Sequence, residues 1–153
     1  MPAIASRPPV VARRFGYGVA AVVIAAMWFA INVWPGWQEV PFLTDSTTLV
    51  LPLVNVSLIA GLVVNVVLAV LDPPWLKSLG DLITASIGLV VLFRVWQVFP
   101  FDFNGYSFNW DVLARFVLVV AVAGSIIGIL VQLASLIRLT ISNGAAPGQR
   151  GLR

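Results

Sequence analysis

From Phe116 to Ile137 the chain runs for 22 residues without a charge, and an arginine stands at each end of the run. About 20 apolar residues make a helix long enough to cross the hydrocarbon of a bilayer. In lipid a helix is favoured because it satisfies its own backbone hydrogen bonds. The residues around this run predict a helix over 110–139, and three more apolar stretches predict helices over about 15–34, 49–71 and 78–99. Composition agrees: 60% of the 153 residues are hydrophobic and only 10% are charged. A soluble domain carries about a quarter charged residues, and a globule this small could not hide so much apolar surface. The expected fold is all-α: an integral membrane four-helix bundle built from two antiparallel hairpins. It forms a single transmembrane domain over 13–139, between disordered tails at 1–12 and 140–153.

Turn chemistry divides the helices. Pro35-Gly36 breaks the first, and Asp45, Ser46 and Thr47 offer N-caps for the second. Pro52 falls in the second helix's first turn, where a missing N–H costs little. Asp72-Pro73-Pro74-Trp75 makes a short turn, so the second and third helices should be antiparallel neighbours. Ser78 and Asp81 stand in capping-box spacing, which starts the third helix at Ser78 and gives Asp81 a capping role. Asn104-Gly105 marks the turn before the fourth.

The absence of histidine and cysteine excludes disulfides, thiol nucleophiles, zinc sites, histidine-ligated haem and catalytic triads. No cofactor or metal is expected. The net charge of +3 sits near the termini and suits anionic lipid rather than nucleic acid.

Two polar layers fall within the predicted spans. Near one end, Arg94 and Arg115 each lie roughly 7 Å inside their helices. Asn55 lies at similar depth, and Asn32 is near the end of the first helix. Charges inside a span mark function by default, so these residues form a candidate anion site with Asp102 and Asp111. The spacing pairs Arg115 with Asp111 at i,i+4. Arg94 is left to Asp102, Asp45 or Glu39, or to a basic notch open to an anion. Near the other end, Asn65 and Gln132 share a depth and predict an interhelical amide contact between the second and fourth helices. Gly124-x-x-x-Gly128 is a close-packing motif, used within the bundle or with a partner. Seven aromatics between Arg94 and Arg115, with Trp34 and Trp37, form an interfacial belt.

No nucleophile–base pair or phosphate loop is present, and the acids in helices, Asp81 and Asp111, have capping explanations. The function expected is therefore non-enzymatic: an accessory, scaffold or lipid-contacting subunit. Its partners would be membrane lipid and a membrane protein or further copies of itself. The alternative is a small oligomeric transporter. In helix count the chain resembles the small multidrug resistance transporters, which depend on a membrane-embedded Glu in the first helix. The first helix here has no acid, so the two arginines point instead to an anionic substrate.

Basic residues fix the expected orientation. Arg7, Arg13 and Arg14 precede the first helix, Lys77 lies between the second and third, and Arg138, Arg150 and Arg153 follow the apolar run of the fourth. Residues 35–48 and 100–109 contain no Lys or Arg. Both termini are thus expected inside a bacterial cytoplasmic membrane, the excess of Arg over Lys fitting a GC-rich bacterial genome. A reporter active only in the cytoplasm, fused after Arg153, should be on. A signal from a periplasmic reporter at that position would overturn the four-helix assignment.

Overall fold

The computed structural model describes residues 8–144. Its helices are α1 (Val10–Asn32), α2 (Leu51–Val70), α3 (Pro74–Val98) and α4 (Trp110–Gly144). All four are long and apolar enough to cross a membrane, so this is a multi-pass membrane protein. Short 3-10 turns at Trp37–Glu39 and Asp45–Leu49 shape the first long loop. The helical region is longer than expected at both ends: α1 starts at Val10 and α4 continues through Gly144. The rest of the two tails expected to be disordered, 1–7 and 145–153, lies outside the described residues.

α3 departs most from the sequence reading. It begins four residues before Ser78, with Pro73 at the N-cap and Pro74 in the first turn. Proline presets the helical φ and gives up an N–H that would have no partner there anyway. Asp81 is therefore about 10 Å inside α3 rather than at its cap, and Ser78 is buried. α2 likewise takes no side-chain cap from Asp45, Ser46 or Thr47; it starts at Leu51 with Pro52 in its first turn.

The helices pack in chain order. α1 lies on α2, α2 on α3 and α3 on α4; among the described residues no Cα of α2 comes within 8 Å of one in α4, and α1 approaches neither α3 nor α4. The bundle is an open row with α3 flanked on both sides. The α2–α3 contact depends on Gly80, where a Cβ would stand 2.5 Å from Val64 Cγ1. Gly124 and Gly128 do not pack within the chain, since a Cβ on either would meet nothing within 4 Å.

Polar contacts tie the row at both ends. Asn32 and Asn55 exchange amide hydrogen bonds of 2.7 and 2.8 Å between α1 and α2. At the opposite end Arg13 Nε and Nη2 donate to Asp72 Oδ2 at 3.0 and 2.6 Å, and the hydroxyls of Ser78 and Ser135 lie 3.3 Å apart. The start of α1, the α2–α3 turn and the later part of α4 therefore share one end. At the other end the two long loops meet in an isolated antiparallel bridge, Leu43 to Phe101. Thr44 N donates to Pro100 O at 3.0 Å and Asp102 N to Phe42 O at 2.9 Å.

The glycines separate the internal packing from the open surface. Gly80→Ala should lower stability by about 1–3 kcal/mol, because the β-branched Val64 cannot step aside cheaply. Gly128→Ala should be neutral or stabilising by up to about 1 kcal/mol. Denaturant titrations of both variants in detergent check the contrast; equal effects would contradict the packing.

Candidate functional site

The in-span polar residues that the fold does gather line a groove over α3. Its volume is about 600 Å³, with α2 and α4 as its walls. Asp81, Thr84, Ala85 and Gly88 follow one another at helical spacing on the face of α3 that looks into it. Ser57 contributes from α2, and Ser125, Gly128 and Gln132 from α4. Gln132 Nε2 donates to Asp81 Oδ2 at 3.2 Å, and Lys77 Nζ donates to the same oxygen from one turn earlier on α3.

The hydroxyls give the groove a direction. Thr84 Oγ1 donates to Gly80 O at 2.9 Å, and Ser125 Oγ donates to Ala121 O at 2.8 Å. Each spends its proton on its own helix and retains lone pairs. With the second carboxylate oxygen of Asp81, these lone pairs give the groove several acceptors. Gly88, like Gly128, leaves open space where a Cβ would stand.

The amide contact expected between Asn65 and Gln132 is not formed. Asn65 Nδ2 donates to Gly61 O of its own helix at 2.8 Å, while Gln132 turns to Asp81. The reason is the row: α3 stands between the helices that carry the two amides. Equal depth along two helices does not say which faces meet.

The arginine layer also differs from expectation. Arg115 does not pair with Asp111. Its guanidinium lies 4.2 Å from the centroid of the Phe99 ring and 5.5 Å from that of Trp96, a cation–π clamp. Arg94 forms no ion pair or hydrogen bond among the described residues. Asp102 instead accepts from Asn104 N at 2.9 Å, closing its own turn. Asp111 stays in the first turn of α4, where a negative charge suits the helix end. Asn55, placed in the same layer, pairs with Asn32. The residues expected to form one anion site thus serve separate local roles. The aromatic belt has Phe103 as its hub, with Phe42 and Phe101 stacked on it at 5.7 and 5.9 Å.

Among the described residues two non-glycine residues adopt left-handed backbone, Asp72 with φ 43° and Phe99 with φ 42°. Each follows a helix, and each is gripped by an arginine from another helix. For Asp72 the grip is ionic. The hydrogen bond from Arg13 holds its carboxyl below the usual carboxylate range, against burial, which pushes it up; the Arg13 charge, Tyr17 and Arg14 add to the lowering.

No protein-family model, curated protein or solved structure matches this chain. The groove must be read from its own chemistry.

The Arg13–Asp72 clamp makes stability depend on pH with a definite sign. A depressed folded pKa means that the clamp's contribution is present above the unfolded value of about 3.9 and lost as pH falls through the folded value. In melts of the detergent-solubilised protein, the wild type should exceed Asp72→Asn near neutrality, and the gap should close below about pH 4. A gap unchanged at low pH would show that Asp72 contributes nothing through its charge.

Proposed function

We propose that the chain is a non-enzymatic accessory subunit of the bacterial cytoplasmic membrane, with both termini inside, whose groove takes the spanning helix of a partner protein. The observation that carries this reading is the polar groove on α3, left uncovered by the chain's own helices within the span. Intramembrane polar groups are retained at a cost and serve as contacts or sites. A helix is about 10 Å across with its side chains, and Gly88 and Gly128 allow its backbone to come close. The partner should carry side-chain donors, such as an Asn, Gln, Lys or hydroxyl residue, at the depth of Asp81. Basic residues at the Asp72 end support the proposed orientation. An anion transporter has weaker support, because it needs Arg94 and Arg115 in one site and Arg115 is committed to Phe99 and Trp96.

The groove predicts a position-specific effect. Purified in mild detergent, the protein should carry a partner in fixed stoichiometry. Gly128→Trp should reduce that partner at least about tenfold, and Asp81→Asn should weaken it by roughly 3- to 10-fold, in line with one interhelical hydrogen bond. Ile127→Trp, on a residue that is 62% exposed and outside the groove, should leave it unchanged. Equal loss at 127 and 128, or a partner indifferent to both, would contradict the reading.

A further inference from the structure

The groove over α3 carries its polar groups at two depths, and contacts between the helices fix which residues share each depth. Ser78 meets Ser135 and Asp81 meets Gln132, so three residues forward on α3 match three residues back on α4. The contact of Arg115 with Phe99 keeps that register to the far end of the pair. Seven residues on from Asp81, Gly88 is therefore level with Ser125. On the other wall a Cβ at Gly80 would meet Val64, and the same count along α2 brings Ser57 to within one residue of the level of Gly88. Ser57, Asp81, Gly88, Ser125 and Gln132 all line the groove. The polar groups thus form two rungs about 10 Å apart: Asp81 with Gln132, and Ser57 with Ser125 beside the bare backbone of Gly88.

The two rungs differ in chemistry. On the first, Lys77 and Gln132 both donate to Oδ2 of Asp81; Oδ1 accepts no hydrogen bond among the described residues. Lys77 already balances the charge of the carboxylate. A second cation brought there would stand uncompensated in the span, where charge is costly, whereas a neutral donor would not. On the second rung, Ser125 donates to Ala121 O and keeps its lone pairs. Ser57 forms no hydrogen bond among the described residues, so its hydroxyl has a proton and lone pairs to offer. A carboxamide matches both rungs, because it donates and accepts.

We propose that the groove selects a partner helix with two uncharged amide side chains seven residues apart, one for Asp81 and one for the Ser57–Ser125 pair. Seven residues rise about 10 Å and return to nearly the same face of a helix, so one helix lying along the groove meets both rungs. This rests on the partner-helix reading of the groove and adds the side-chain pattern of the partner.

The test uses full-length protein in mild detergent, with a dye on a cysteine added after Arg153, titrated with labelled Leu-Ala spanning peptides and read by energy transfer. A peptide with Gln at i and i+7 should bind roughly 3- to 10-fold tighter than one with Gln at i and i+5, where the two amides lie on different faces. Replacing both Gln by Lys should weaken binding. The double variant Ser57→Ala, Ser125→Ala should remove most of the advantage of the second Gln and leave a single-Gln peptide unchanged. Gly128→Trp should weaken every peptide that binds. Equal binding at the two spacings, an advantage untouched by the double variant, or tighter binding of the Lys peptide would overturn the amide pattern and leave the groove reading in place. Peptides that bind wild type no better than Gly128→Trp would remove the groove reading, and the pattern with it.

Discussion

The third helix cannot face lipid on all sides, and the rest of the structure follows from that. Between Asp81 and Arg94 it has only 12 uncharged residues, Leu82 to Phe93. At about 1.5 Å per residue these span roughly 18 Å, well short of a hydrocarbon core of about 30 Å. Asp81 and Arg94 cannot then both lie outside the apolar zone, where charge is costly. The chain answers by placing α3 between α2 and α4. Gly80 lets α2 come close, Ser78 meets Ser135 on α4, and Lys77 and Gln132 converge on Asp81. What the row leaves uncovered is the face of α3 that carries the acid, so the most polar helix is also the one with an unfinished surface.

The two ends of the row are held by different physics. At one end Arg13 grips Asp72; at the other Arg115 lies over Phe99. Both gripped residues have left-handed backbone, which is unfavourable for residues with a Cβ and persists where surroundings enforce it. One clamp is an ion pair at the α2–α3 turn with a titrating carboxylate. The other is a cation over aromatic rings in the interfacial belt and has no titrating partner. The loop bridge next to the second clamp borders an apolar cavity between the helix ends.

Much of the architecture is legible in the sequence because it is local. Apolar run length sets the four helices, Pro35-Gly36 and Asn104-Gly105 punctuate them, and the short turn at Asp72 makes α2 and α3 neighbours. The site is less legible because it depends on azimuth and on distant contacts. Depth along a helix placed Asn65 beside Gln132, yet the intervening α3 keeps them apart. Capping-box spacing assigned Asp81 to a helix end, although Pro74 is a sufficient start signal and puts that acid inside the span. The Gly124-x-x-x-Gly128 motif makes no close contact within the chain, whereas Gly80, outside any Gly-x-x-x-Gly pair, makes the close approach. Asn32 and Asn55 were legible as members of one layer; that they bond to each other required the fold.

α2 and α4 are held apart by α3, leaving the Asp81 groove uncovered. Disulfide cross-linking in native membranes tests it directly, because the chain has no cysteine of its own. Cysteines replacing Ser78 and Ser135 should cross-link rapidly within one chain, since those hydroxyls lie 3.3 Å apart. Cysteines replacing Asn65 and Gln132 should not. Rapid intramolecular cross-linking of the second pair, with none in the first, would show that α2 packs on α4 and that the groove does not exist.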